Sequence, residues 1–265
     1  KSYLLEQPLV IPHELTIDGR SRKGKQTLLS SSGEALFHVL SGGALTLSDL
    51  NLAGRAENKA VIAAIGAYYQ GAYSLRLQNV EAVTDPDSGE RPFISADDAT
   101  FATLIEFDEV RSSGWRGPFL SLSGAKLDGW YLAEDIKIKN SRFENMSGPL
   151  VTFGREGRDE STFGPRLLMH RSTLDRINPD GVAIDLRGID GVDIKDNSFS
   201  NSGKLHIKKR VLGLKFEIRE NTFNQTPPAE ILGVDGESLT ASGAGVLESK
   251  AASGQELLNG LGGAR

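Results

Sequence analysis

Two apolar residues in alternation, followed by a turn and usually a further apolar residue, recur seven times along this chain. The motif reads Leu45-Thr46-Leu47 with Leu52, then Leu75-Arg76-Leu77, then Ile105-Glu106-Phe107. It continues as Ile136-Lys137-Ile138 with Phe143, Leu167-Leu168-Met169 with Leu174, Val192-Asp193-Ile194 with Phe199, and Phe216-Glu217-Ile218 with Phe223. Successive second anchors are separated by 30, 30, 31, 31, 25 and 24 residues. Alternation with a period of two is strand rather than helix patterning. A repeat of this length is a solenoid coil, which cannot bury its apolar side alone but builds a continuous core when stacked. The repeat therefore predicts an all-β chain, a right-handed parallel β-helix of about seven to eight coils. A β-propeller needs about four strands per repeat, too many for this spacing, and the leucine–asparagine pattern of a leucine-rich repeat is absent.

A second strand family completes each coil: Ala35–Val39, Pro118–Leu122, Pro149–Phe153 and Val182–Leu186. Several of its members follow a glycine (Gly117, Gly148, Gly181), which is turn chemistry opening a new face. Asn140, Asn197 and Asn221 come just after the first strand. Asparagine tolerates the left-handed backbone, so all three are expected at the corner between two faces, where stacked copies can form amide ladders.

Pro8-Leu9-Val10-Ile11-Pro12 and Leu15-Thr16-Ile17-Asp18-Gly19 read as a partial coil that starts the stack. No Pro/Ser-rich linker interrupts residues 1–233, which are expected to form one β-helix domain. Residues 234–265, rich in Gly, Ser and Ala, are expected to be a tail or an irregular cap. The chain opens on Lys1 with no visible signal peptide, which reads as a processed protein or an excised domain.

The formal net charge of −5 argues against non-specific nucleic-acid binding. With no cysteine, disulfides, thiolate metal sites and cysteine nucleophiles are excluded. No apolar run approaches the roughly 18 residues that span a bilayer. Phosphate-binding glycine loops, paired metal-ligand motifs and a G-x-S-x-G elbow are also absent.

Stacking the repeats aligns Lys139, His170, Lys195 and Arg219, the outward residues just after each second anchor. Equivalent positions in stacked strands lie about 4.8 Å apart, so these four are expected to form a basic column that tracks an anionic polymer. Asp193 and Glu217 on the neighbouring column should offset part of its charge. His170 is the best placed of the four histidines (His13, His38, His170, His206) for proton transfer. Arg155 and Arg158 sit in the charged run Arg155-Glu156-Gly157-Arg158-Asp159-Glu160. They are candidates to grip a ligand carboxylate, although an internal salt-bridge network is the favoured reading.

The run Asp159-Glu160-Ser161-Thr162-Phe163-Gly164-Pro165 adds a resemblance. With Leu9-Val10-Ile11-Pro12, Leu15-Thr16-Ile17-Asp18-Gly19 and the Asn-Ser-x-Phe and Asn-Thr-Phe corners, it resembles the C-terminal β-helix domain of polysaccharide lyase family six, the chondroitinase B-like alginate lyases. The likeness covers roughly residues 3 to 230, and the seven-residue run is its specific part. It implies alginate, an acidic polysaccharide, as substrate class and a periplasmic or secreted setting. The implied partner is an N-terminal catalytic β-helix, which in that family carries the lysine base, the arginine acid and the calcium-binding carboxylates. The K-S run followed later by R-H-G that surrounds those groups does not occur here, so no catalytic residue is carried over. Calcium is expected in the full-length enzyme, and no cofactor or metal site is identified in this chain.

Three functions follow. The first is an accessory domain of an alginate lyase, supporting the catalytic domain or contacting the polysaccharide. The second is a self-sufficient lyase that works by β-elimination through Lys139, His170, Lys195 and Arg219. The third is a structural or adhesive solenoid.

Overall fold

The computed structural model of the chain describes residues 1–20, 27–66, 71–84, 89–97, 99–123, 131–155, 164–209, 215–234, 240–241 and 250–252. Among them every regular element is a β-strand, and the strands pair in parallel into a 16-stranded and a 10-stranded sheet. The chain winds as a right-handed parallel β-helix, as the repeat predicts.

Each full coil has three faces. The first carries the repeat anchors, in strands such as Ala102–Asp108, Ala133–Lys139, Arg166–His170, Gly191–Lys195 and Phe216–Arg219. The second holds Arg111–Ser113, Arg142–Met146, Thr173–Ile177, Ser198–Ser200 and Thr222–Asn224. The third is the separate sheet, from Leu9–Ile11 through Leu120–Leu122, Val151–Gly154 and Val182–Ile189 to Lys250–Ala252. Ten strands on that face make the stack longer than the seven or eight coils expected. The extra rungs lie at the two ends: the segments up to Thr27–Ser31, where Leu15-Thr16-Ile17 stands in register with Leu45-Thr46-Leu47 as the expected partial coil, and Thr240–Ala241 with Lys250–Ala252, which lacks the motif. The last two strands fall within residues 234–265; most of that segment lies outside the described residues.

All seven second anchors (Leu47, Leu77, Phe107, Ile138, Met169, Ile194, Ile218) point inward and are buried. The position five residues later is a second inward column, where Phe143, Leu174, Phe199 and Phe223 stand in register. Phe199 and Phe223 stack with ring centroids 4.8 Å apart, so identical residues one coil apart share one column of the core. In two coils this position is taken by Ala82 and Ser112, which is why the motif fades there.

The corner between the first and second faces is a left-handed residue in each coil: Asp49, Asn79, Glu109, Asn140, Arg171, Asp196 and Glu220, all with φ between 49° and 58°. Asn197 and Asn221 are one position further on, which corrects the sequence expectation. They turn inward and are nearly buried. There they continue a ladder begun by Ser141 and Ser172, each side-chain oxygen accepting a backbone N–H from the coil before it. Asn140 stays on the exposed side, donating to Asp108 and accepting from Arg171. Gly148 and Gly117 meet in the turn before the third face, where a Cβ on Gly148 would collide with the backbone of Gly117. Close approach, not left-handed backbone, demands glycine there.

The change in period from 31 to about 25 residues is made in one place. The connection from Val151–Gly154 to Arg166–His170 is long, whereas Val182–Ile189 leads almost directly into Gly191–Lys195. The first face is therefore continuous over its last coils.

Candidate functional site

The predicted basic column is in register: Asp108, Lys139, His170, Lys195 and Arg219 face one another on successive strands. The column one step away along the strands is Arg76, Glu106, Lys137, Leu168, Asp193 and Glu217. Its acids neutralise the basic column more fully than expected. Lys139 Nζ lies 2.7 Å from Glu106 Oε1, on a diagonal to the coil before. Lys195 reaches Glu220 at 3.2 Å and Asp196 at 3.6 Å, and Arg219 pairs with Glu217 at 3.0 Å and Glu220 at 3.1 Å.

These pairs fix charge states. The hydrogen bond from Lys139 holds Glu106 below the usual carboxylate range, and that from Arg219 does the same for Glu217. Burial by itself would raise Asp193, but the hydrogen bond from Lys215 and the proximity of His170 outweigh it and lower it. His170 Nε2 stands 3.1 Å from Asp193 Oδ1 in a geometry short of a hydrogen bond, and both atoms are buried without a hydrogen-bond partner. The column as a whole is a row of ion pairs rather than a free cationic stripe.

Arg155 is corrected outright as a ligand-gripping residue. Its side chain is fully buried, donates to Asp190 Oδ2 at 2.8 Å and to the Gly164 carbonyl at 3.1 Å, and lies over the Tyr131 ring. A guanidinium so enclosed ties the strand end to the chain 35 residues later and offers nothing to a polymer in solvent. Arg158 lies outside the described residues.

The feature that repeat reasoning missed is a groove of about 400 Å³ beside the column, across the strands Ala133–Lys139, Arg166–His170 and Gly191–Lys195. Leu168 is at its centre, with Lys137 and Asp193 on the adjacent strands and Asp135, Arg166 and Lys215 around it. The signal was present in the sequence. Leu167-Leu168-Met169 is the one copy of the motif whose middle, outward residue is apolar.

The PL6 family alginate lyase AlyGC matches with a TM-score of 0.78 and 22% sequence identity, over 93% of this chain. In fold, the chain resembles an alginate lyase. An arginine-to-alanine mutant of AlyGC matches over the same 93% with a TM-score of 0.77 and 22% identity. In each case the match spans 36% of the lyase's length. The structural neighbours thus fall in the family that the sequence motifs resemble. No family model matches the sequence, and no curated protein does.

Among the described residues no group of three or more histidines and carboxylates is placed to hold a metal ion. No helix among them is long and apolar enough to cross a membrane.

Proposed function

We propose that the chain is the C-terminal accessory β-helix of an alginate lyase, a periplasmic or secreted poly-uronate lyase, and that it supports the catalytic β-helix by packing against it. One observation carries this reading. Among the described residues the exposed large apolar side chains are Tyr3, Leu4, Leu9 and Val10, between 41% and 54% exposed, and all four stand on the first rung. Tyr3 continues the inward column of Leu52 and Leu29, and Leu9 continues that of Phe37. In a longer stack both would be core. A solenoid end without a polar cap is poorly soluble, and the open strand edges around it invite pairing, so this end suits a partner that is itself a β-helix. The likeness to a lyase of which the match spans 36% of the length supports the same reading.

Catalysis by this chain alone is the less favoured reading, because the lysines and arginine of the basic column are all held in ion pairs. Mixing the chain with the separately expressed catalytic β-helix of the same lyase tests the proposal. A stable complex in sedimentation and a higher melting temperature for the catalytic domain are expected, and Tyr3→Asp with Leu9→Asp should abolish both. No complex, or one indifferent to those changes, overturns it.

A further inference from the structure

Leu9 and Val10 are neighbours on one strand and point opposite ways, Leu9 into the core column of Phe37 and Val10 outward beside His38. A partner stacked coaxially on the open end covers Leu9 and leaves Val10 in water, although both are exposed apolar residues here. We propose that the catalytic β-helix docks off-axis, covering the open end and overhanging the outward side of the third face from Val10 to Thr152. This rests on the accessory reading and adds to it the face and the tilt of the contact.

The distribution of charge carries the proposal. Val10, His38, Ala63, Ser95, Ser121 and Thr152 form one outward column across six strands, about 24 Å long. Leu40 and Ile65 stand in register beside it. Among the described residues, no aspartate, glutamate, lysine or arginine points outward from these six strands. The other two faces of the same coils are charged, the first with Arg76, Glu106 and Lys137, the second with Glu81, Arg111 and Arg142. On the third face itself charge returns with the next strands, as Asp185, Arg187, Lys204, His206, Lys208 and Glu230. A solvated surface mixes both signs of charge, whereas depletion of charge marks the centre of a protein interface.

The rim of the open end sets the direction of the tilt. Its first-face side presents Glu14, Thr16 and Asp18, all exposed and polar, and so stays in water. Leu4 points outward on the second face, in register with Ser30, next to the corner that leads into Leu9–Ile11. The apolar rim therefore continues toward the third face and away from the first.

Contact area points the same way. The end is bounded by strands of four, three and five residues, which at about 3.3 Å per residue enclose on the order of 200 Å². Contacts between domains bury about 600–1,500 Å², and the flank adds area that the end lacks.

Calorimetric titration of the whole chain with the separately expressed catalytic β-helix tests the tilt. Ala63→Glu with Ser121→Glu, outward and away from the open end, should weaken binding about tenfold. Ala63→Lys with Ser121→Lys should do the same, because a charge of either sign is stranded in the contact. Thr46→Glu with Gln78→Glu, on the first face of neighbouring coils, should leave binding unchanged. Melting temperatures should show that all three variants are folded. Binding unaffected by both third-face pairs overturns the tilt and leaves the accessory reading in place through the Tyr3–Leu9 end. Equal weakening by the first-face pair also overturns the tilt. No binding by the unaltered chain overturns the accessory reading and the tilt with it. A dimer of this chain alone in sedimentation, broken by Ala63→Glu with Ser121→Glu, overturns the inference by assigning the face to a second copy.

Discussion

Asn221 Oδ1 accepts two hydrogen bonds from Asn197, one from its backbone N–H and one from its side-chain amide, each 3.0 Å long. Asn197 in turn caps the backbone N–H of Ser172 and donates to the Met169 carbonyl. One buried side chain therefore satisfies groups on the two coils either side of its own. Replacing Asn197 with Ala leaves several of them unpaired and should cost about 2 kcal/mol, given the penalty for orphaned buried polar groups. Asn140→Gly, on the exposed side of the same corner and at positive φ, should change stability by only a few tenths of a kcal/mol. Urea unfolding of the two variants measures the contrast.

That ladder also marks how far the sequence could be read. The alternation in Val192-Asp193-Ile194 and its six counterparts identifies strands, coil length and buried face, because a side-chain period of two is local. The left-handed corner falls two residues after every second anchor, so Asp196 rather than Asn197 takes it. The repeat carries that offset, and residue type alone misdirects, because asparagine also serves at the next position as a buried ladder residue. In the basic column, Lys139, His170, Lys195 and Arg219 were legible as a row. Some of their partners are local in sequence, Glu217 and Glu220 for Arg219 and Asp196 for Lys195; others, such as Glu106, 33 residues from Lys139, appear only once the register is known. For Arg155 the charged run pointed to an internal salt bridge, as found, but the partner, Asp190, lies 35 residues on and depends on a long-range contact.

Arg155 and Asp190 form a fully buried ion pair. Removing one member leaves the other charge enclosed, so Arg155→Met should destabilise the fold by about 3 kcal/mol, the range for breaking buried pairs. The double variant Arg155→Met with Asp190→Leu should recover part of that loss. Equilibrium unfolding of the single and double variants decides; full additivity would mean that the two side chains act independently.

Lys209 is buried, and burial pushes its ammonium down to about 8, with Asp190 acting in the opposite sense. Between that value and an ordinary lysine value of about 10.4, the unfolded chain binds more protons than the folded one. Stability should therefore rise with pH across this window. The melting temperature of wild type relative to Lys209→Met should increase from pH 8 to pH 10; a flat difference would show that the ammonium is not depressed.

Because the column is compensated, Lys195→Glu combined with Arg219→Glu should leave retention on immobilised alginate nearly unchanged at about 0.15 M salt, where surface charges are already screened. Affinity electrophoresis in alginate-containing gels gives the comparison. A marked loss of retention would restore the column as a polyanion-binding stripe.

The most direct test of the central claim is the ultraviolet absorbance of the unsaturated uronate formed by β-elimination, followed with this chain and alginate, with and without calcium. The accessory role predicts a flat trace from protein shown by circular dichroism to be folded, and a rising trace when the catalytic β-helix is added. A rising trace from this chain alone would contradict the account and make His170, Lys139, Lys195 and Arg219 the first residues to replace.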